Sequence, residues 1–595
     1  MESDAYERVQ AMTLQKLRMR RVGFCWAVLL LPMLFTPSGF LQAAPTSAGS
    51  ITNVTFATDP TNGDSYAIFW LSSGGVASVS AFADDVIRVR FSYNGFWAKE
   101  EPMIAATLGM WPTLANTFTD QGTNYLLQTG LLNVLINKNP FRVDFYDRLG
   151  GYALLQDDPT NAVQYDTSYS ISNDASGIPY SLPSGYRLKC TKQMPSNQAY
   201  FGFGEYPGPS NRQGENIMCW NYQSYHWGTG SPYQNPMYMN MPFFYGVQPA
   251  SGSVPAFTYG IFFDNPCRAT FRMGTQFPTG YSFEAADGQM DYYFFGGSTN
   301  HTMKSVIDSY TELTGRAMML PKWAMGHHLS RFAYDNQSWV EYIASTATAS
   351  NIPLDAIYID IDYMDATGEN NIDSDELDQL TMDAANYPNP ASMVSSCQVY
   401  GVKLIPLIEP WLEPNDPLEP TEYADLDFIK ANNGNQYEGN IYVGDVYWFD
   451  YTSQPTLNRW QGDETNWFHS VAWGGIWNDL TEPEDNGEIP LDGLLWLNGA
   501  YGTSTTDTRR QWSNERNYFG LRSQMSSYNA LLEAFPNRRP FVLSRSGTTG
   551  SQRYAAGWSG DTQAGYSPNY APACIRLSVN TMISGQSYFG NDLGG

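Results

Sequence analysis

Val402-Lys-Leu-Ile-Pro-Leu-Ile408 is a short, almost continuously apolar run, and the charged residue Glu409 follows it at once. Six similar runs occur after Pro321, separated by longer amphipathic stretches. Apolar strands that alternate with helices are typical of a parallel sheet covered on both faces. Seven such strands in series predict a (β/α)8 TIM barrel. The other runs are Trp323-Ala-Met-Gly, Ala356-Ile-Tyr-Ile, Gly474-Gly-Ile-Trp, Pro540-Phe-Val-Leu-Ser, Ala555-Ala-Gly-Trp and Ser587-Tyr-Phe-Gly.

The preceding part of the chain has a different pattern. Short alternating runs such as Val86-Ile-Arg-Val-Arg-Phe are broken by Gly, Asn, Asp and Pro, which predicts an antiparallel β-sandwich. Residues 301–317 are expected to be helical. The predicted fold class is therefore multidomain, all-β followed by α/β. We expect the sandwich over residues 45–317 and the barrel over 318–595, with an insertion at about 412–470 after the third strand.

The N-terminus has the order of features found in a secretory signal peptide. Basic residues within 16–21 precede an apolar run at 22–35, and Ala43 and Ala44 supply small residues for cleavage. The run is shorter than the roughly 20 residues that span a bilayer. We expect residues 1–44 to be a signal peptide, leaving a secreted or periplasmic protein with no stable membrane insertion. An uncleaved anchor is the alternative.

Composition excludes several classes of function. With 33 basic and 59 acidic residues, the chain carries a net charge of −26, which argues against binding to nucleic acid phosphates. The chain has five His and lacks H-E-x-x-H, C-x-x-C and Walker-type motifs, which leaves little room for a His-rich metal site. Five cysteines follow the signal segment, and we expect them to be buried free thiols: Cys190, Cys219, Cys267, Cys397 and Cys574.

Polar or charged side chains follow six of the seven apolar runs. In a barrel the C-terminal ends of the strands form one mouth, so these groups are expected to converge. Paired carboxylates can cleave glycosides, one as nucleophile and one as general acid. Carboxylates also hold Ca²⁺ or Mg²⁺, but we find no EF-hand spacing. The groups concerned are Asp360, Asp362, Glu409, Asp479, Glu482, Arg545, Asp561 and Asp592.

Two stretches of the chain resemble the catalytic motifs of glycoside hydrolase family 31, the α-glucosidase family. Gly475-Ile-Trp-Asn-Asp-Leu-Thr-Glu-Pro483 is similar to the nucleophile motif G-x-W-x-D-M-N-E-P. Arg545-Ser546, with Arg553-Tyr-Ala-Ala-Gly-Trp-Ser-Gly-Asp561, resembles the acid/base motif R-S … R-Y-A-G-H-W-x-G-D. The resemblance extends over about residues 200–595. It also includes Phe201-Gly-Phe-Gly-Glu205, Tyr310-Thr-Glu-Leu-Thr-Gly-Arg316 and Asp360-Ile-Asp-Tyr-Met-Asp365.

The resemblance implies a retaining α-glycosidase that acts on oligosaccharides or α-glucans without a cofactor or metal. Asp479 would be the nucleophile and Asp561 the acid/base, while Asp360 and Arg545 would bind sugar hydroxyls. The aromatic residues implied in that subsite are Trp477, Trp558, Tyr358 and Phe332, with Tyr442 from the insertion as a further wall. The chain stops at Gly595 inside a stretch that resembles the family's seventh-strand motif. We therefore expect a barrel that is incomplete before its last strand.

One departure from the family pattern bears on the reaction. Trp220-Asn-Tyr-Gln223 carries Gln where the family's W-N-x-D motif has the Asp that contacts the leaving or acceptor sugar. A transglucosylase, in which a sugar hydroxyl replaces water, is therefore the main alternative. A glucan lyase of the same family and a non-catalytic sugar-binding protein are further alternatives. The presence of both Asp479 and Asp561 weighs against the last of these.

Overall fold

A computed structural model describes the protein over residues 45–594. Within that span it leaves out residues 59–64, 96, 98–113, 115, 169–185, 225–234, 366–376, 415, 419–422, 424–426, 432–433, 484–494, 498–509 and 563–569. The predicted signal segment, residues 1–44, lies outside the described residues. No described helix is long and apolar enough to cross a membrane.

Antiparallel strands make up the first half of the described chain. They form three sheets, ordered β1-β11-β12-β18-β17-β14, β10-β9-β8-β7-β6 and β13-β15-β16-β19-β5-β4-β3-β2. The strands are β1 Thr46–Ser47, β2 Ile51–Thr58, β3 Ser65–Leu71, β4 Val76–Ala83, β5 Val86–Ser92, β6 Thr117–Asp120, β7 Asn124–Gln128, β8 Leu132–Lys138, β9 Phe141–Asp147, β10 Ala153–Leu155, β11 Val163–Tyr165, β12 Leu188–Gln193, β13 Ala199–Gly204, β14 Asn216–Cys219, β15 Asn240–Gln248, β16 Phe257–Phe263, β17 Ala269–Phe277, β18 Gly280–Ala285 and β19 Met290–Phe295.

Alternation of apolar and polar residues explains these sheets. In β8, Leu132, Val134 and Ile136 are buried while their neighbours are half-buried. Successive side chains of a strand point to opposite faces, so one face enters the core and the other stays accessible. Strands of all three sheets contribute to one large apolar cluster. The sequence-based expectation of an antiparallel β region is confirmed.

The first α-helix among the described residues, α1 (Met303–Thr314), covers part of this region and confirms the helical pattern at 301–317. Thr302 and Ser305 form a capping box, in which each side chain accepts a hydrogen bond from the backbone N–H of the other. The helix buries Val306 and Tyr310 against the sheet, where the Tyr310 ring stacks on Phe243 with centroids 3.8 Å apart.

The second half contains a curled sheet of seven parallel strands, ordered β20-β21-β22-β26-β29-β30-β31. Its strands are β20 His328–Leu329, β21 Ala356–Ile359, β22 Lys403–Ile408, β26 Ile476–Asn478, β29 Val542–Ser544, β30 Ala556–Trp558 and β31 Phe589–Gly590. The remaining strands are β23 Trp411–Leu412, β24 Glu438–Ile441, β25 Gly444–Trp448, β27 Trp496–Leu497 and β28 Arg510–Gln511. The other described helices are α2 Gln337–Ala349, α3 Pro390–Val399, α4 Gln454–Ser470, α5 Arg516–Ala534 and α6 Tyr570–Ile583.

Six of the seven predicted barrel runs coincide with parallel strands, and one does not. Trp323-Ala-Met-Gly is a 3₁₀ turn, Lys322–Met325, closed by Gly326 N–H donating to the Trp323 carbonyl. The first strand lies just after it, at His328–Leu329. The prediction was wrong because a short apolar run carries no periodicity that separates a strand from a turn.

The five cysteines after the signal segment are buried and free, which confirms that expectation.

Candidate active site

The C-terminal ends of the parallel strands bring several predicted site residues together. Asp360 directly follows β21, Asp479 follows β26 and Arg545 follows β29, while Asp561 lies three residues beyond β30. Neighbouring parallel strands end at one edge of a sheet, so their first loop residues share that edge. Side-chain contacts confirm that Asp479, Arg545 and Asp561 meet there.

Arg545 is the centre of this cluster. Its Nε lies 3.2 Å from Asp479 Oδ1, and its Nη1 donates to Asp561 Oδ2 at 3.2 Å. Glu482 accepts from Arg545 Nε at 3.0 Å and from Nη2 at 2.9 Å. The side chains of Arg545 and Glu482 are fully buried, whereas that of Asp561 is 43% exposed. The two hydrogen bonds from Arg545 to Glu482 fix the plane of the guanidinium. The guanidinium in turn holds both aspartates in position.

The Asp479 carboxylate is held through one of its two oxygens. Leu480 N–H donates to Oδ1 at 2.8 Å, and the same oxygen faces Arg545. The backbone N–H of Asp479 donates to the Ile408 carbonyl at 3.0 Å, which ties this strand end to β22. Within the described ranges, Oδ2 has no protein donor. It is the oxygen available to a substrate.

One guanidinium faces several carboxylates, and this sets their protonation. Burial, together with the charges of Asp561 and Glu482, raises the pKa of Asp479 to about 7, even though Arg545 lowers it. Burial, together with the charges of Asp561 and Asp479, also raises the pKa of Asp592 to about 7. The cluster can therefore hold or release a proton near neutral pH.

Asp360 occupies the edge next to Asp479. Its Oδ1 accepts from Ile361 N–H at 2.8 Å. Burial raises the pKa of Asp360 well above its ordinary value, and the charges of Asp479, Asp362 and Asp561 raise it further. A carboxyl in this position can both donate to and accept from hydroxyl groups.

Three of the predicted aromatic residues lie on strands of the parallel sheet and pack edge to face on one another. The Tyr358 and Trp477 rings are 5.5 Å apart at 77°, and the Trp477 and Trp558 rings are 5.5 Å apart at 85°. The Tyr358 hydroxyl lies 3.0 Å from His328 Nδ1 on β20. The Trp477 indole N–H is buried and finds no acceptor among the described residues. These residues form a wall with one unused donor.

Tyr442 joins the site from the small sheet β23-β25-β24, in the turn between β24 and β25. Its hydroxyl donates to Glu409 Oε2 at 2.8 Å, and 44% of its surface is exposed. Burial of the hydroxyl raises the pKa of Tyr442 well above its ordinary value, and the charges of Glu409, Asp360 and Asp479 add to the shift. Tyr442 therefore contacts Glu409, and its role as a further wall of the sugar site stays a prediction.

Phe332 lies apart from this wall. It follows β20 in a loop, is 67% exposed, and makes no ring contact in the described part of the chain. Its role in sugar binding stays a prediction.

Sequence reasoning missed the contribution of Tyr238. This residue precedes β15 of the antiparallel region, yet its ring centroid lies 5.0 Å from Arg545 Cζ. Nothing in the sequence near Tyr238 indicates this contact, because the two residues belong to different regions of the chain.

Arg545 supplies the positive charge among these carboxylates. The described residues include no group of three or more His, Cys, Asp or Glu side chains placed to hold a metal ion. The arrangement offers one buried carboxylate for attack and one partly exposed carboxyl for proton exchange.

Two family models and several known proteins are similar to this chain. The model of the glycosyl hydrolases family 31 TIM-barrel domain matches residues 317–595. The model of the glycosyl hydrolase 31 N-terminal galactose mutarotase-like domain matches residues 76–271. Alpha-glucosidase 2 of Bacillus thermoamyloliquefaciens is 28% identical over 528 residues, covering 88% of this chain. The isomaltosyltransferase of Sporosarcina globispora is 25% identical over 555 residues, covering 87% of this chain.

The fold also matches a solved structure. The GH31 dextranase of Flavobacterium johnsoniae, complexed with glucose, superposes with a TM-score of 0.77 at 23% identity and covers 92% of this chain. This chain spans 60% of the length of the Bacillus enzyme, 45% of the isomaltosyltransferase and 61% of the dextranase chain.

Proposed function

Because this chain belongs to glycoside hydrolase family 31, we propose that it is a retaining α-glycosidase that hydrolyses α-glucosidic bonds of oligosaccharides. The observation that carries the proposal is the joint contact of Asp479 and Asp561 with Arg545. One guanidinium holds a nucleophile and a proton donor at the same strand edge, next to a wall of aromatic rings. The names of the relatives, an alpha-glucosidase among them, support the substrate class.

In the first step, Asp479 Oδ2 attacks the anomeric carbon while the glycosidic C–O bond breaks. Asp561 gives its proton to the leaving oxygen, so the first sugar remains bound to Asp479 as an ester. Arg545 and Leu480 N–H hold the other oxygen of Asp479, which keeps the attacking oxygen in place. The 43% exposure of Asp561 suits its contact with the departing group.

In the second step, Asp561 takes a proton from water, and the hydroxide oxygen attacks the anomeric carbon. The ester bond to Asp479 breaks and the carboxylate is restored. Two inversions at one carbon return the α-configuration. Arg545 touches both aspartates, so it stabilises the charge that moves between them in each step.

Substrate recognition uses the groups around the two aspartates. Asp360 binds sugar hydroxyls, and the unused N–H of Trp477 donates to another. Burying this donor without an acceptor costs roughly 1–3 kcal/mol, so a hydroxyl there favours binding. Tyr358, Trp558 and Tyr442 enclose the ring.

Replacing the two aspartates tests this mechanism in the full-length protein. Asp479→Ala should lower turnover about 10⁴-fold or more on every α-glucoside, because no other group forms the ester. Asp561→Ala should lower cleavage of natural disaccharides about 10²–10⁴-fold. It should spare the first step of activated aryl glycosides, whose leaving groups need little protonation. Added azide should restore the second step of Asp561→Ala, because azide attacks in place of water and needs no general base.

Proton NMR from the start of the reaction gives the second readout. The first sugar released by the wild type should have the α-configuration. Initial release of the β-sugar would contradict the two-step mechanism, and an unchanged Asp561→Ala rate on disaccharides would remove Asp561 from the acid role. Thermal unfolding of each variant separates these outcomes from a folding defect.

A transglucosylase of the same family is the second candidate. Gln223 stands where the family motif has an acidic residue, and one relative is an isomaltosyltransferase. The backbone here is anchored, because Asn221 N–H donates to Asn517 Oδ1 at 2.8 Å and Ser224 Oγ donates to the Pro236 carbonyl at 2.8 Å. Product analysis on a panel of α-linked disaccharides decides between the two. Longer oligosaccharides as main early products would indicate transfer, and glucose alone would indicate hydrolysis.

We also propose that the protein is exported after removal of about 44 residues, on the basis of the N-terminal pattern. N-terminal sequencing of secreted protein should begin near Ala44, and a start before residue 30 would contradict this.

A further inference from the structure

A segment of the antiparallel region reaches the edge of the parallel sheet at which Asp479, Arg545 and Asp561 meet. Met239 forms a parallel bridge with Gly547, just after Arg545 in the chain. Its neighbour Tyr238 is fully buried. The two halves of the chain therefore share this wall of the site.

Tyr238 contacts both strand ends that carry the proposed chemistry. The Arg545 guanidinium lies over its ring, with Cζ 5.0 Å from the centroid. The same ring packs so closely on Gly560 that a Cβ there would clash with it. Gly560 directly precedes Asp561, so one ring touches the backbone beside the acid/base and the side chain that orients it.

The position of Tyr238 is fixed from the antiparallel side. Glu205 Oε2 accepts from Met239 N–H at 3.0 Å, and the backbone N–H of Glu205 donates to the Met239 carbonyl at 3.1 Å. Asn240 Nδ2 donates to Asn221 Oδ1 at 3.0 Å on the other side. These bonds leave Tyr238 little freedom to move away from Arg545.

We propose that Tyr238 is a positioning residue that holds the Arg545 guanidinium against Asp479 and Asp561. Arg545 is attracted to the ring face, and the ring occupies the space into which the guanidinium would otherwise turn. The guanidinium is then left with one orientation, toward its acidic partners. This inference rests on the proposed function, because the consequence of misplacing Arg545 is a loss of catalysis.

Tyr238→Leu in the full-length protein tests this role. Leucine keeps the space apolar but removes the ring face, so kcat/KM for an aryl α-glucoside should fall about tenfold or more, mainly in kcat. A displaced Arg545 would also stabilise the ionised form of Asp479 less, which raises the pKa of Asp479. The acid limb of the kcat/KM profile should therefore move to higher pH by about half a unit. The groups that act on Asp479 in this profile are Arg545, Asp561, Glu482, Asp360, Asp592 and Tyr442.

Tyr245→Leu is the matched control. Tyr245 is also fully buried, but its hydroxyl donates to the Ile583 carbonyl at 2.6 Å, away from Arg545. This variant should lose stability and keep the wild-type pH profile. The proposal would be overturned if Tyr238→Leu and Tyr245→Leu changed kcat, and shifted the acid limb of the pH profile, by the same amounts.

A second pair of variants keeps the test decisive if Tyr238→Leu does not fold. Phe at this position, or a trifluorinated phenylalanine, preserves the shape, but fluorine withdraws charge from the ring face. The fluorinated variant should have a kcat about tenfold below that of Tyr238→Phe. Equal kcat values would overturn the proposal, whereas a wild type that turns over no α-glucoside would overturn the proposed function and this inference with it.

Discussion

Asp592 shows how one side chain sets the charge of the site. It follows β31, and burial with the charges of Asp561 and Asp479 raises its pKa to about 7. Its charge in turn acts on Asp479, because the interaction between two carboxylates is mutual. Asp592 can therefore shift the pH at which Asp479, the proposed nucleophile, ionises.

Asp592→Asn should move the acid limb of kcat/KM to lower pH by about half a unit. The substitution removes a negative neighbour, so the pKa of Asp479 falls and the attacking carboxylate forms at lower pH. Asp308→Asn removes the same charge from an exposed site, where Asp308 is 70% exposed, and should leave the limb in place. An Asp592→Asn profile that overlays the wild type would contradict this coupling.

The helices behind β26 support the strand that carries Asp479. Asn478 Nδ2 donates to Ser527 Oγ at 3.0 Å and to Ser523 Oγ at 3.2 Å, both on α5. Glu464 on α4 accepts from Ser527 and, at 2.7 Å, from Ser526. Burial raises the pKa of Glu464 to about 8, so this chain of polar groups includes a neutral carboxyl at pH 7.

Glu464 should make stability fall as pH rises. The unfolded chain releases this proton near its ordinary pKa of 4.5, whereas the folded protein keeps it up to about 8. The contribution is therefore complete below about pH 4.5 and declines by about 1.4 kcal/mol per pH unit up to about pH 8. In urea unfolding, Glu464→Gln should lose this decline, because glutamine resembles the protonated acid. Parallel stability curves for wild type and variant between pH 5 and 8 would contradict it.

At the scale of the whole molecule, buried hydrogen bonds join the antiparallel region to the parallel sheet. Asn517 on α5 accepts from Asn221 N–H at 2.8 Å and donates to the Cys219 carbonyl at 3.3 Å. Arg516 Nε donates to the Asn221 carbonyl at 3.1 Å. These groups are buried, so each lost partner leaves an unsatisfied group.

Asn517→Ala should lower the free energy of unfolding by about 1–3 kcal/mol, because Asn221 N–H loses its acceptor. The exposed Asn458→Ala on α4 serves as control and should change it by less than about 0.5 kcal/mol. Chemical unfolding followed by circular dichroism measures both. Equal stabilities of the two variants would contradict the prediction that this network stabilises the folded protein.

Much of the fold could be predicted from the sequence. The alternating runs of the first half and the apolar runs of the second predict antiparallel and parallel strands, because burial on one or both faces leaves a local pattern. Strand topology then carries Asp479, Arg545 and Asp561 to a common edge without any knowledge of their contacts. The misplaced first strand shows the limit of this reasoning, since a few apolar residues fit a turn equally well.

The contacts among these groups were decided by the tertiary structure. The pairing of Arg545 with Glu482, the ring of Tyr238 above it and the neutral carboxyl of Glu464 have no signal in the sequence. Each depends on residues far apart in the chain and on water being excluded between them. Periodicity reports which face of an element is buried, whereas protonation and orientation depend on what that face meets after folding.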